Sequence, residues 1–163
     1  MSEQSNPPPL PHSEDRKEML ELYKTFLNSI EVTTNRRQQS NQFFIGLLTA
    51  LLGVVGFVLS SEHLAGAGMI QFSVMLTVGI TGLILSGIWR EYLRSTLVLS
   101  KAKFQVLNPM EDNFVVQPFS EEYQLLKEWD YVNLGKLEKI LPLLMMIPYV
   151  LLIFLSFVFL LGQ

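Results

Sequence analysis

The stretch MLELYKTFLNSIEVTTNRRQQSNQFFIGLLTALLGVVGFVL, residues 19 to 59, decides the fold. Its first part is amphipathic: Met19, Tyr23, Phe26, Leu27, Ile30 and Thr34 recur at three to four residue steps, while Glu21, Lys24 and Glu31 lie largely off that stripe. This is the pattern of a helix with one side to bury. No turn signal separates it from the uninterrupted apolar run Phe43 to Leu59. That run is at the short end of what crosses a hydrocarbon core roughly 30 Å thick. The spacing predicts a helix that passes from water into a membrane, with Asn41, Gln42 and Ser60 close to the two interfaces.

Upstream, residues 1–12 hold Pro7, Pro8, Pro9 and Pro11 and lack the basic region of a signal peptide. They read as a disordered tail, a spacer or, less simply, a polyproline ligand. Ser13 is placed to cap a helix, with Glu14 and Asp15 where the helix dipole favours negative charge. The amphipathic segment 13–42 is more acidic than basic before Arg36, so its stripe suits another segment of the chain better than anionic headgroups.

Downstream, 43–59 is the first span, and 60–68, with Glu62, His63, Gly66 and Gly68, a hairpin. Residues 69–89 form a second span, unambiguous in length, which puts Trp89 and Tyr92 at the depth where amphipathic rings collect. The run 140–161 is a third span, with Pro142 near its start and Pro148 inside it, where a kink is expected. Between spans two and three lies a polar, helical segment, 90–139. There Glu91 to Leu107 continues span two, Asn108 and Pro109 stop it, Phe114 to Phe119 is a loop or edge strand, and Ser120 caps a helix through Trp129. Asn133 to Gly135 interrupt the chain before span three. The fold class is thus an all-α integral membrane protein with three transmembrane helices, an amphipathic N-terminal helix and a helical segment between spans two and three.

Composition agrees. Of 163 residues 49% are hydrophobic and 17% charged, against roughly 25% charged in a soluble domain. The net charge of -3, with acids and bases mixed, gives no reason to expect nucleic acid, and the absence of cysteine removes disulfides and thiol chemistry. All 12 lysines and arginines fall before span one or between spans two and three. The positive-inside rule then places the N-terminus and the 90–139 segment in the cytoplasm, the hairpin outside and the C-terminus external.

Chemistry has little to work with. His12 lies in the tail and His63 in the hairpin, without partners for a metal site, and no phosphate-cradling glycine motif follows a strand. Glu111 with Asp112, and Glu121 with Glu122, read as solvated or helix-dipole acids. The expectation is no enzyme, no cofactor and no metal. No span holds an Asp, Glu, Lys, Arg or His, which disfavours a pump. Three groups remain as candidates. Arg36, Arg37, Arg90 and Arg94, at the inner ends of adjacent spans, face lipid headgroups or simply obey the positive-inside bias. Gly46, Ala50, Gly53 and Gly56 put small residues on one face of span one, suited to close helix packing. Ser73, Thr77 and Thr81 form a hydroxyl row on span two, which either packs on that small-residue face or lines a passage closed by apolar rings at Leu76 or Ile80. Tyr149 sits deep in span three and needs a hydrogen-bond partner; by depth these are Thr81 and Thr77, then Thr49.

The run Asn35-Arg36-Arg37-Gln38-Gln39-Ser40-Asn41-Gln42-Phe43-Phe44 and the segment Ser100-Lys101-Ala102-Lys103-Phe104-Gln105-Val106-Leu107 carry a resemblance, with Pro118-Phe119 leading to Glu128-Trp129 and the closing Leu137-Glu138-Lys139-Ile140-Leu141-Pro142. Over roughly Leu20 to Tyr149 the chain resembles the RipA-type family of small bacterial octameric membrane proteins. The resemblance implies a non-enzymatic homo-octamer in the bacterial cytoplasmic (inner) membrane, linked in pathogens to growth inside host cells and to pH adaptation, and the first functional class it leaves is a pore or membrane scaffold. Its partners are then other copies of itself and membrane lipids. The alternative is a signal-gated membrane effector of a bacterial defence system.

Overall fold

The computed structural model describes residues 13–60, 68–112, 114, 116–129 and 134–162. The proline-rich tail, most of the hairpin with His63, and Asn133 lie outside the described residues, as does the side chain of Ser13. Five helices follow in order: α1 (Ser13–Ser60), α2 (Gly68–Glu111), α3 (Pro118–Glu128), α4 (Leu134–Glu138) and α5 (Leu141–Leu161). Among the described residues, α1, α2 and α5 are long and apolar enough to cross a membrane. The protein is an all-α membrane protein.

α1 is a single helix of 48 residues, so the amphipathic segment and the first span are one rod. At 1.5 Å per residue it is about 72 Å long, more than twice the hydrocarbon thickness. α2, with 44 residues, is of the same kind. Its end differs from the sequence expectation: Asn108 and Pro109 do not stop it, and it runs on to Glu111. Proline gives up the N–H bond to the carbonyl four residues back, at Gln105, and crowds that turn, but the chain stays helical past it to Glu111. α5 also runs unbroken through Pro148.

α2 is the central element, packed on α1 along one side and on α5 along the other. Cross-links between α1 and α2 fix an antiparallel register. Tyr23 pairs with Glu111, Ser29 with Lys103 and Asn41 with Trp89, the partner number falling as α1 advances. Between α2 and α5 the same holds: Gly82 lies against Tyr149, Gly79 against Ile153 and Phe72 against Phe157.

The wholly buried Trp89 and Tyr149 anchor the core, together with Leu48 and Leu93. Trp89 turns its ring into the protein. Its indole N–H donates to Asn41 Oδ1 at 2.9 Å and its face stacks on Phe44 at 5.7 Å. A buried indole needs such an acceptor, and Asn41, at the mouth of the apolar run, supplies it. Tyr149 faces protein as expected but finds a different partner, donating its hydroxyl to the backbone oxygen of Leu48, next to Thr49. Its ring lies flat over Gly82, where a Cβ would overlap it. One side chain of α5 therefore reaches across a glycine notch in α2 to bond α1.

Candidate functional site

Among the described residues, the small-residue face of α1 has no partner. Gly46, Ala50, Gly53 and Gly56 are all exposed, and a Cβ at any of the three glycines would meet nothing within 4 Å. Close backbone approach within the chain is made instead at Gly79 and Gly82 of α2, which the sequence reading did not single out. Their three-residue spacing, followed by Ser86, was the available signal. The hydroxyl row Ser73, Thr77 and Thr81 is also exposed. Ser73 Oγ turns back to the Met69 carbonyl of its own helix at 2.8 Å. Ser73 and Thr77 line a shallow groove of about 350 Å³ with Met69, Ile70, Val74 and Val78. The row and the small-residue face thus lie free, and neither covers the other.

The four arginines separate. Arg37 turns inward, its Nε 3.1 Å from Glu138 Oε2 in a pair that is mostly buried. This corrects the grouping of Arg37 with headgroup-facing arginines: its charge is used to tie α1 to the chain leading into α5. Arg94 sits 3.8 Å from Glu91 on the exposed side of α2, a contact worth little in solvent. Arg36 and Arg90 are exposed. Arg36 lines a groove of about 280 Å³ with Gln39, Ser40, Phe43 and Tyr92.

At the polar ends of α1 and α2 lie two polar knots, the first half-buried and the second centred on a buried carboxylate. Lys103 spends its ammonium protons on α1, donating to the Ser29 carbonyl at 2.7 Å, Ser29 Oγ at 2.7 Å and Thr33 Oγ1 at 2.6 Å. Thr33 donates its own proton to the Ser29 carbonyl at 2.8 Å, which leaves its lone pairs for Lys103. Two turns further along α2 is Glu111, wholly buried rather than solvated as its sequence context suggested. Its Oε1 accepts from the Tyr23 hydroxyl at 2.9 Å and the Phe119 N–H at 3.2 Å. Its Oε2 accepts from the Ser120 N–H at 3.2 Å and the Ser120 hydroxyl at 3.3 Å.

Glu111 thus caps α3. The expected cap, Ser120, lies inside that helix; α3 begins at Pro118, and its N-cap residue Gln117 makes no side-chain cap. The free N–H groups of the first turn and the positive end of the helix dipole are met by a carboxylate from another helix. Burial, and then the hydrogen bond to Glu111, push the Tyr23 hydroxyl up to about 12. The Tyr23 and Phe114 rings pack at 5.0 Å and Phe104 meets Phe119 edge-on at 6.2 Å, which closes apolar surface over the knot.

These arrangements hold helices together, while the small-residue face and the hydroxyl row are exposed on the membrane-crossing parts of α1 and α2. A family model, that of the octameric membrane protein family (8xMP), matches residues 20–159. The chain belongs to that family. The match runs from the polar part of α1 through all three membrane-crossing helices, and the family's description makes it a multi-pass membrane protein of an octamer-forming kind. Searches of curated proteins and of solved structures found no match.

Proposed function

We propose that this member of the octameric membrane protein family acts as a homo-octamer, without enzymatic activity, whose subunits meet through the Gly46, Ala50, Gly53 and Gly56 face of α1. The observation that carries the reading is that face itself, built for close backbone approach and covered by nothing among the described residues. In hydrocarbon, helix association relies on packing at small residues, because burial from lipid gains no hydrophobic energy. The assembly sits in the bacterial inner membrane with the N-terminus inside, in keeping with the basic residues flanking the spans. The pH adaptation and growth inside host cells implied by the resemblance then rest on a membrane assembly rather than on a reaction.

A Gly53→Leu variant tests the interface. Its side chain would occupy the space a neighbouring backbone needs, and native mass spectrometry of detergent-purified particles should show smaller species in place of octamers. An intact octamer would move the interface to another face.

The exposed hydroxyl row of α2 supports a passage along the assembly. Neutral hydroxyls without charge select poorly among ions, and apolar rings at Ile80 or Leu76 close such a path by dewetting. Thr77→Asp should raise cation conductance in planar bilayers. Unchanged conductance in a correctly assembled variant leaves the protein a scaffold, with the row in contact with lipid or a neighbouring helix.

A further inference from the structure

The Asn41 to Trp89 hydrogen bond sets the level of α1 against α2 at the end of both apolar runs. From there the antiparallel register puts Tyr92 about 4.5 Å outward, level with about residue 38 of α1. The groove formed by Arg36, Gln39, Ser40, Phe43 and Tyr92 is therefore at headgroup depth, with Phe43 on its membrane side and Arg36 on its water side. Its polar lining can donate through a guanidinium, an amide and two hydroxyls, and it contains no acid. Arg36 is exposed, whereas its neighbour Arg37, about 100° around the helix, is spent on Glu138.

We infer that this groove holds the phosphate of an anionic phospholipid, with Arg36 as its charge partner and Phe43 against the first carbons of an acyl chain. A planar guanidinium matches two phosphate oxygens. The aromatic ring at the membrane side selects an amphipathic ligand over a free anion. Arg90, also exposed on α2, does not line this groove.

The test uses the full-length assembly, stripped of lipid in a neutral detergent and supplied with phosphatidylglycerol or phosphatidylcholine at equal mole fraction. Native mass spectrometry counts the lipid retained per subunit. The parent should retain phosphatidylglycerol in preference. Arg36→Ala should lower that retention about fivefold, the effect of one basic residue at an anionic surface, and Arg90→Ala should leave it unchanged. Equal retention by Arg36→Ala and the parent overturns the inference. Displacement of the lipid by inorganic phosphate also overturns it, assigning the groove to a soluble anion. Loss of assembly at Arg36→Ala with unchanged lipid retention by Arg36→Gln overturns it too, making Arg36 a contact between copies. The fivefold loss in Arg36→Gln upholds it.

Discussion

Gly82→Leu is expected to destroy the docking of α5 on α2. Already at alanine the added Cβ would overlap Cδ1 and Cε1 of the Tyr149 ring, and a Cβ at Gly79 would lie 2.6 Å from Ile153 Cγ1. Neither ring nor backbone can give way without cost, because Tyr149 is wholly buried and its hydroxyl is held by Leu48 of α1. Overpacking of this kind costs about 1–3 kcal/mol for a methyl group, and leucine exceeds it. The displaced tyrosine also loses its interhelical hydrogen bond, worth about 0.6 kcal/mol on average in membranes.

The matched control is Gly87→Ala, five residues along the same helix, where a Cβ meets nothing within 4 Å. Thermal unfolding followed by size-exclusion chromatography should show Gly87→Ala at or above the parent, Gly82→Ala well below it, and Gly82→Leu without a monodisperse peak. Combining Gly82→Ala with Tyr149→Leu should recover part of the loss, since the smaller side chain vacates the notch. Gly82→Ala as stable as Gly87→Ala would mean that the notch is not a packing constraint.

The membrane-crossing helices were legible because hydropathy and the 3.6-residue period act over many residues and do not depend on partners. The unbroken passage from amphipathic to apolar in α1 shows in the sequence for the same reason. Partner choice is different. Depth arithmetic favoured Thr81 and Thr77 of α2 as partners of Tyr149, with Thr49 of α1 next, and the acceptor is instead the carbonyl of Leu48; a backbone oxygen has no sequence signature. Trp89 closes the second apolar run, yet its N–H turns inward to Asn41.

Small residues are equally ambiguous. Four on α1 form the more conspicuous pattern, but the two glycines of α2 are the ones packed on α5, and which helix a small face serves depends on connectivity and subunit number. Several residues that carry the family resemblance prove to bind helices together: Arg37, Asn41, Phe44, Lys103, Phe119 and Glu138 all bridge elements. Their pattern in sequence pointed to the family without revealing that role.

Glu111 shows the same limit with the largest consequence. Next to Asp112 and after Asn108-Pro109 it reads as a turn acid, but α2 continues past the proline and carries the carboxylate under α3. Glu111→Ala would leave the Tyr23 hydroxyl and two first-turn N–H groups of α3 without their acceptor in a buried place. Hydrogen bonds to a charged group contribute about 1.5–3 kcal/mol each, so losing the set should cost about 3 kcal/mol or more locally.

Hydrogen exchange should then quicken about 100-fold in the amides of α3, at 1.4 kcal/mol per factor of ten. Exchange around Gly82 and Tyr149 should be unaffected. Glu111→Gln, which keeps one acceptor oxygen, should fall between. Tyr23 gives the pH arm. Its folded value of about 12 lies above the ordinary 10.0, so its contribution is complete below pH 10 and is lost as pH rises toward 12. In the parent, α3 exchange corrected for intrinsic base catalysis should therefore rise across that window, and in Tyr23→Phe the rise should vanish. If α3 exchanges in Glu111→Ala at the parent's rate, the carboxylate does not hold α3 to the ends of α1 and α2.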